Sequence, residues 1–423
     1  MSAAGTAHWY LEQEARALVT RLDRVRPFAV HETMVPAAAL APTAQSAIDQ
    51  FLIRGRRELR ALIGGYLRWL AGPGRAAAPE EQQRRFTLLR LRFNDVLSQF
   101  DLFTEVITQR SEHATGVWLS GLDVLATDAL RLPDAPPIAC YLARGPGAAI
   151  RRVRTQLPGG AANPVAIIRV PRERMVGHGI ASSLVHEVGH QAAALLSLVE
   201  VVRPTLAARS GPEWASWSRW ISEILADLWS VSRLGTGSTL GLMAVVSLPR
   251  WAVFRPGGAD PHPVPWLRVL VSCAFGRALY PHRQWDALSA LWRGLYPPRG
   301  LAPGYAELLG RLEASIPAFV DHVLAVRPPA LGGATLGDHL VLPSRRPERL
   351  LAFWHAFRDR PAGLGAQPPT LVFAAVGQAR AAGLITPEAE SRLLGRLLTH
   401  WALRSSLDTA AACSTHTIEE NKP

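Results

Sequence analysis

A chain of 423 residues, 48% of them hydrophobic, is long enough for more than one packed unit and too apolar to remain disordered. Its formal charge of +12 is almost wholly arginine, since the only lysine is Lys422, and the arginines are spread along amphipathic segments without a continuous basic run. That distribution argues against nucleic-acid binding.

In chain order, residues 1–130 read as a helical region. Apolar residues recur at Ile48, Phe51, Leu52, Leu59, Leu62, Ile63, Tyr66 and Leu70, a one-face helical period with arginines on the outer face. "AGPGRAAAPEE" (Ala71 to Glu81) breaks this helix, and Phe86, Leu89, Phe93, Val96, Phe100 and Phe103 form the stripe of the next. The texture changes near Leu132. "PPIACYLA" and "NPVAIIRVP" are short β-branched runs bounded by Pro and Gly, which predicts strands, whereas the arginine-dense "IRRVRT" (Ile150 to Thr155) fits a solvated face.

Helices follow. Residues 301–413 form a further helical region, in which Thr386 and Pro387 have the chemistry of an N-cap and a first helical position. Residues 414–423 read as a polar, disordered tail. The longest weakly charged run, Leu234 to Pro249, is too short and too broken to span a bilayer, so no transmembrane segment is expected. Cys140, Cys273 and Cys413 are too few and too scattered for a disulfide framework, which fits a reducing compartment. The opening residues lack the pattern of a signal peptide, and a cytoplasmic location is the expectation.

The chemistry concentrates in "SSLVHEVGHQAAALL", Ser182 to Leu196. On an α-helix, positions four apart share a face, so His186 and His190 present two imidazoles one turn apart, as a tetrahedral zinc site requires. Glu187 lies about 100° around the helix from His186. There it can take a proton from water activated by the metal. A third ligand is still needed. The continuation H-E-x-x-H-x-x-G-x-x-H is excluded, because Ala193 and Leu196 occupy its last two positions. The segment "WASWSRWISEILADLWSV" offers Glu223 as ligand instead. Asp227, one turn on, is placed to receive the N–H of a ligand histidine and fix its tautomer. Glu200 and Glu213 are the poorer alternatives. "HETMV" at His31 lacks the second histidine. His178 fits the turn that opens the active helix, and Tyr141 or Tyr280 could hydrogen-bond a reaction intermediate.

"HEVGH" followed by "EILAD" resembles the gluzincin type of zincin metallopeptidase. The later "DPHPVPWLRVL", with His262, Pro263 and Arg268, is similar to the CAAX prenyl protease branch. The resemblance covers about residues 160–275. It implies a fold in which substrate lies as an added strand, with "VAIIRV" (Val165 to Val170) as the edge strand. It also implies His262, oriented by Asp260, as a donor to the oxyanion.

The expected fold is α+β and predominantly helical. A zincin-like core with a small β-sheet at 131–300 stands between the two helical regions. The expected activity is zinc-dependent hydrolysis of a peptide or protein. Zn²⁺ is held by His186, His190 and Glu223, and Glu187 and His262 are the catalytic groups. The alternatives are a helical interaction protein with a structural zinc site, and a zinc hydrolase acting on a non-peptide substrate.

Overall fold

Chain-terminating residues for a helix are usually glycine and proline, yet 33 prolines coexist here with a mostly helical chain. The resolution is positional. Pro42, Pro79, Pro212, Pro265, Pro303, Pro347, Pro369 and Pro387 each open a helix. There the missing N–H is one that no helical carbonyl needs, and the ring presets φ. The computed structural model describes residues 3–24, 35–143, 148–153, 155–157, 162–172, 177–256 and 260–420. His31 lies outside them.

The chain begins with three helices, α1 (Ala3–Arg24), α2 (Pro42–Ala71) and α3 (Pro79–Thr108). They pack on one another through Leu11, Leu18, Ile48, Phe51, Ile63, Phe93 and Phe103, all buried. Phe51 and Phe103 meet edge to face, with ring centres 5.6 Å apart. Burying side chains of this size stabilises by about 1.5–3 kcal/mol each. The expected stripes of α2 and α3 are this interior; Leu62 alone of the α2 stripe points to solvent.

Next come α4 (His113–Leu130) and the strands β1 (Ile138–Ala143), β2 (Ala149–Arg151) and β3 (Ala166–Pro171). The sheet order is β1-β3-β2, with β3 parallel to β1 and antiparallel to β2. The run expected at the edge, Val165 to Val170, is therefore mostly the central strand. The reason is β2. Its three residues are too short to show a period, and Ile150 pairs with Ile168 where a solvated arginine-rich face is expected. Alternation divides the sheet's residues between two cores. Cys140, Ala166 and Ile168 face the larger one, while Ala139, Val165 and Ile167 face α1–α3.

The outer edge of β1 is closed by side chains. Gln109 donates from Nε2 to Leu142 O at 2.7 Å and accepts from Leu142 N at 2.6 Å. Asp123 accepts from Cys140 N at 2.7 Å, and Arg110 donates to Cys140 O at 2.6 Å. Arg110 and Asp123 are themselves paired and buried, at 2.8 Å. Backbone groups that would otherwise invite another strand are thereby satisfied.

The remaining helices are α5 (His178–Leu195), α6 (Leu198–Ala207), α7 (Pro212–Leu234), α8 (Thr236–Val246), α9 (Arg250–Val253), α10 (Pro265–Leu279), α11 (Gln284–Leu295), α12 (Pro303–Ala325), α13 (Leu336–Leu340), α14 (Pro347–Phe357), α15 (Pro361–Gly365), α16 (Pro369–Ala381) and α17 (Pro387–Glu420). They share one core that runs from Leu119 to Trp401. The expected division at residue 300 therefore does not separate two cores, and α4 packs with this core although it was grouped with residues 1–130. Thr386 accepts from Ala389 N at 3.3 Å, as an N-cap does. The last helix continues to Glu420, into the stretch 414–423 expected as a disordered tail. Extending a formed helix by a residue costs far less than starting one.

Two glycines set the spacing around α5. A Cβ at Gly189 would stand 2.8 Å from the Ala226 backbone of α7. A Cβ at Gly241 of α8 would overlap the Ser182 side chain of α5. Three helices thus meet at close range, and the faces carrying "HEVGH" and "EILAD" are pressed together. Among the described residues, no helix is long and apolar enough to cross a membrane.

Candidate metal centre

The Gly189–Ala226 contact lies between the turns that carry the polar side chains. His186 and His190 on α5 face Glu223 and Asp227 on α7. Trp214, Trp217, Trp220 and Trp229 of α7 are all buried, so its carboxylates are held in an apolar setting. His186 Nε2 is 3.3 Å from Glu223 Oε2, and His190 Nε2 is 3.4 Å from Glu223 Oε1. The two imidazole rings stand edge to face, 4.8 Å between centres. Ligand-type atoms of His186, His190 and Glu223 all lie within 4.8 Å of one another. Glu200 and Glu213 do not join this group.

Two of the histidines at the site are oriented from behind. His186 Nδ1 donates to Asp227 Oδ1 at 2.8 Å, leaving Nε2 toward Glu223. Arg268, on α10, holds Asp227 with both arms: Nε to Oδ2 at 2.6 Å and Nη2 to Oδ1 at 2.9 Å. A similar chain approaches from the loop before α10. Arg255 donates to Asp260 Oδ2 at 2.6 Å, and His262 Nδ1 meets Asp260 Oδ1 at 2.7 Å. His262 Nε2 then lies 3.3 Å from Glu223 Oε2. Two Arg–Asp–His chains therefore converge on one carboxylate oxygen. The sequence pattern contained Arg268 without showing what it does. Arg255 was missed; its only signal is its place five residues before Asp260 in the same loop.

The electrostatics follow this arrangement. Burial disfavours charge on His186, but the Asp227 and Glu223 carboxylates outweigh it and hold the imidazole up at about 9. Burial would raise Glu223, yet His186 and His190 draw it well below the usual carboxylate range. Asp227, buried between Arg268 and His186, is held at about 2. Burial works against the Arg268 cation, and Asp227 more than restores it, so its pKa is raised. Asp260 is lowered, because the His262 N–H groups and Arg255 outweigh its burial.

Two observations bear on whether this group could hold a metal ion. Glu223 Oε2 is buried without a hydrogen-bond partner; two imidazole nitrogens lie at 3.3 Å and the Arg268 guanidinium at 3.8 Å. A buried, unsatisfied carboxylate oxygen is costly unless a cation meets it. In a tetrahedral site with zinc–ligand bonds near 2.0–2.1 Å, neighbouring ligand atoms stand about 3.3 Å apart. The two imidazoles approach different oxygens of Glu223, and with one ligand atom from each residue the three lie within 4.8 Å of one another, close enough to share a single ion. The carboxylate behind His186 is the arrangement that fixes a metal-ligating tautomer.

Glu187 is 8% exposed and makes no hydrogen bond or ion pair among the described residues. It is near enough to Arg268 to help hold that guanidinium charged. Of the other residues considered, Tyr280 is buried and donates to Ser232 O at 2.7 Å, so its hydroxyl is already committed. Tyr141 lies on the sheet face turned toward α1–α3, not toward α5. His178 begins α5, and its side chain lies outside the described residues.

No protein-family model matches this chain, and neither a curated protein nor a solved structure is similar to it.

Proposed function

We propose that this chain is a zinc-dependent metallopeptidase, with His186, His190 and Glu223 holding the ion. The observation that carries this reading is the combination at one place of three metal-ligating side chains within 4.8 Å of one another and a buried Glu187 on the helix that bears His186 and His190. A purely structural zinc site has no need of that glutamate. Zinc bound there supplies the Lewis acidity that activates water and polarises the carbonyl under attack. Glu187 accepts the proton of the attacking water and returns it to the leaving amine. His262, its Nδ1 bound by Asp260, presents Nε2 to the carbonyl oxygen as that oxygen gains negative charge. Asp227 and Arg268 hold the His186 ring in its ligand orientation.

One observation supports a second reading. His262 Nε2 is as close to Glu223 Oε2 as His186 Nε2 is. A fourth protein donor would close the site and make it structural. The decisive experiment pairs two variants with metal analysis. Wild type should carry about one zinc per chain. Glu187→Gln should keep that zinc while losing ~10²-fold or more in cleavage of a peptide found by mass-spectrometric library screening. His262→Ala should slow cleavage and retain zinc; loss of zinc from it favours the closed site. Equal cleavage by wild type and Glu187→Gln would trace the activity to a contaminant and remove the catalytic claim.

A further inference from the structure

The sheet has two edges, and they are not equivalent. The β1 edge is occupied by Gln109, Arg110 and Asp123. β2 is the other edge, and among the described residues no strand pairs with its outer side. Apart from its ladder with β3, its one further backbone bond among the described residues comes from Asn163 Nδ2 to Arg151 O at 3.1 Å. β2 leads to Val153, whose N–H donates to Gln191 Oε1 at 2.9 Å. Gln191 follows His190, so the open edge is tied to the helix that carries the metal donors.

Beside this edge is a cavity of about 440 Å³, lined among others by Leu102, Tyr141, Ile167, Arg151, Arg152 and Arg169. Register explains why arginines reach it. Arg151 pairs with Ile167, and Arg169 with both Ala149 and Tyr141, so these side chains share the sheet face toward α3. Arg151, Arg152 and Arg169 make no side-chain hydrogen bond or ion pair among the described residues, and Arg169 Nε is buried without a partner. Among the described residues, no acidic side chain lines the cavity. The nearby Glu105 acts on Tyr141, on which Arg169 and Arg151 also act. Three guanidinium groups around one cavity without carboxylates are an arrangement suited to an anion.

We propose that this cavity receives the carboxylate side chain of an acidic peptide that adds to the sheet along β2. The assignment rests on the peptidase reading for its purpose, but not for its physics. In an added strand alternate side chains point to the same face, so every second residue of the peptide faces Arg151 and Arg169. The intervening residues face the side of the sheet on which α5 packs. The class of substrate is thus an extended, unfolded segment carrying Asp or Glu at alternate positions.

The test uses the full chain as Glu187→Gln, loaded with zinc, and two fluorescein-labelled ten-residue peptides. One carries Glu at every second position in an Ala/Val background; the other carries Gln at those positions. Anisotropy should show the Glu peptide binding at least ~10-fold more tightly. Arg151→Ser with Arg169→Ser should abolish that preference, with the thermal transition unchanged. Arg151→Glu with Arg169→Glu should transfer the preference to a Lys peptide. N-methylation of the peptide on the strand-pairing N–H groups should remove binding, as strand addition requires. Equal affinity for the Glu and Gln peptides, or a preference that survives both serine substitutions, overturns the proposal. Displacement by inorganic phosphate or a short polyuridine RNA with no Glu-over-Gln preference also overturns it, in favour of a phosphate site. The two readings fail separately. A chain that binds no zinc and cleaves nothing, yet prefers the Glu peptide, keeps the cavity and loses the peptidase.

Discussion

The helices α1–α3 and the helices around α5 solve packing in opposite ways. In the first group each helix buries one stripe and exposes an arginine-rich face, so large apolar side chains fill the space between helices. In the second group α7 is buried nearly all round, and glycine sets the distance between backbones. Polar side chains then have no solvent to turn to and must find each other. A site that needs histidine, glutamate and aspartate within a few ångströms can be built in the second kind of packing and not in the first. The candidate metal donors and Gly189 thus form one device: the glycine sets the distance between the helices that carry His186, His190 and Glu223.

The largest effect should come from the donors themselves. His186→Ala or His190→Ala should abolish zinc binding, and Glu223→Ala should weaken it severely, by metal analysis after dialysis. If Glu223→Ala binds zinc as tightly as wild type, the ligand assignment is wrong. Truncating an outward arginine of α2, such as Arg57, should leave zinc content unchanged.

Next in size is the spacing device. Gly189→Val should destabilise by about 1–3 kcal/mol or more, since its side chain meets the Ala226 backbone and not a flexible tip. It should also lower zinc affinity, although residue 189 donates nothing. Chemical denaturation and zinc titration check both effects; normal affinity in a destabilised protein would separate the glycine from the site.

A smaller loss is expected from Asp227→Asn. The fold should persist while zinc affinity or activity falls roughly 10–100-fold, the usual cost of removing the group behind a ligand histidine. An unchanged variant would reduce Asp227 to a partner of Arg268 alone.

The smallest effect has the opposite sign and sharpens the contrast. A Cβ at Gly65 of α2 would meet nothing within 4 Å. Gly65→Ala should therefore stabilise by about 0.5–1 kcal/mol, the helix-propensity difference. The same glycine-to-larger change thus helps in one region and harms in the other. A loss of melting temperature in Gly65→Ala would contradict the open packing assigned to α2.

What the sequence reveals here follows the range of the interaction. His186 with His190, and Glu223 with Asp227, are legible because one turn of helix brings positions four apart together. The stripes of α2 and α3 are legible for the same reason. β2 is not, because three residues carry no measurable period. The central place of β3 is not, because strand order is decided by pairing between distant segments. The closure of the β1 edge by Gln109, Arg110 and Asp123 is hidden for a related reason. Each looks like an ordinary helix residue until the helix is placed against the strand. Arg255 acts through Asp260 across a loop, where no spacing rule points to it.

The packing of α17 also has a consequence for when the fold is completed. Leu394, Leu398 and Trp401 belong to the same core as Leu119, Leu125 and the inner face of α5. Gly121 of α4 lies against the Leu398 backbone, and Asp128 of α4 accepts from Thr370 N at 2.9 Å. During synthesis α4 emerges long before residue 387, so the apolar surface that it turns to α17 waits uncovered until the last helix is made. A nascent polypeptide halted before residue 387 is expected to be cut within α4 by a protease that spares the released chain, which limited proteolysis of stalled chains can measure. The first helix of this core is thus completed only by the last helix of the chain.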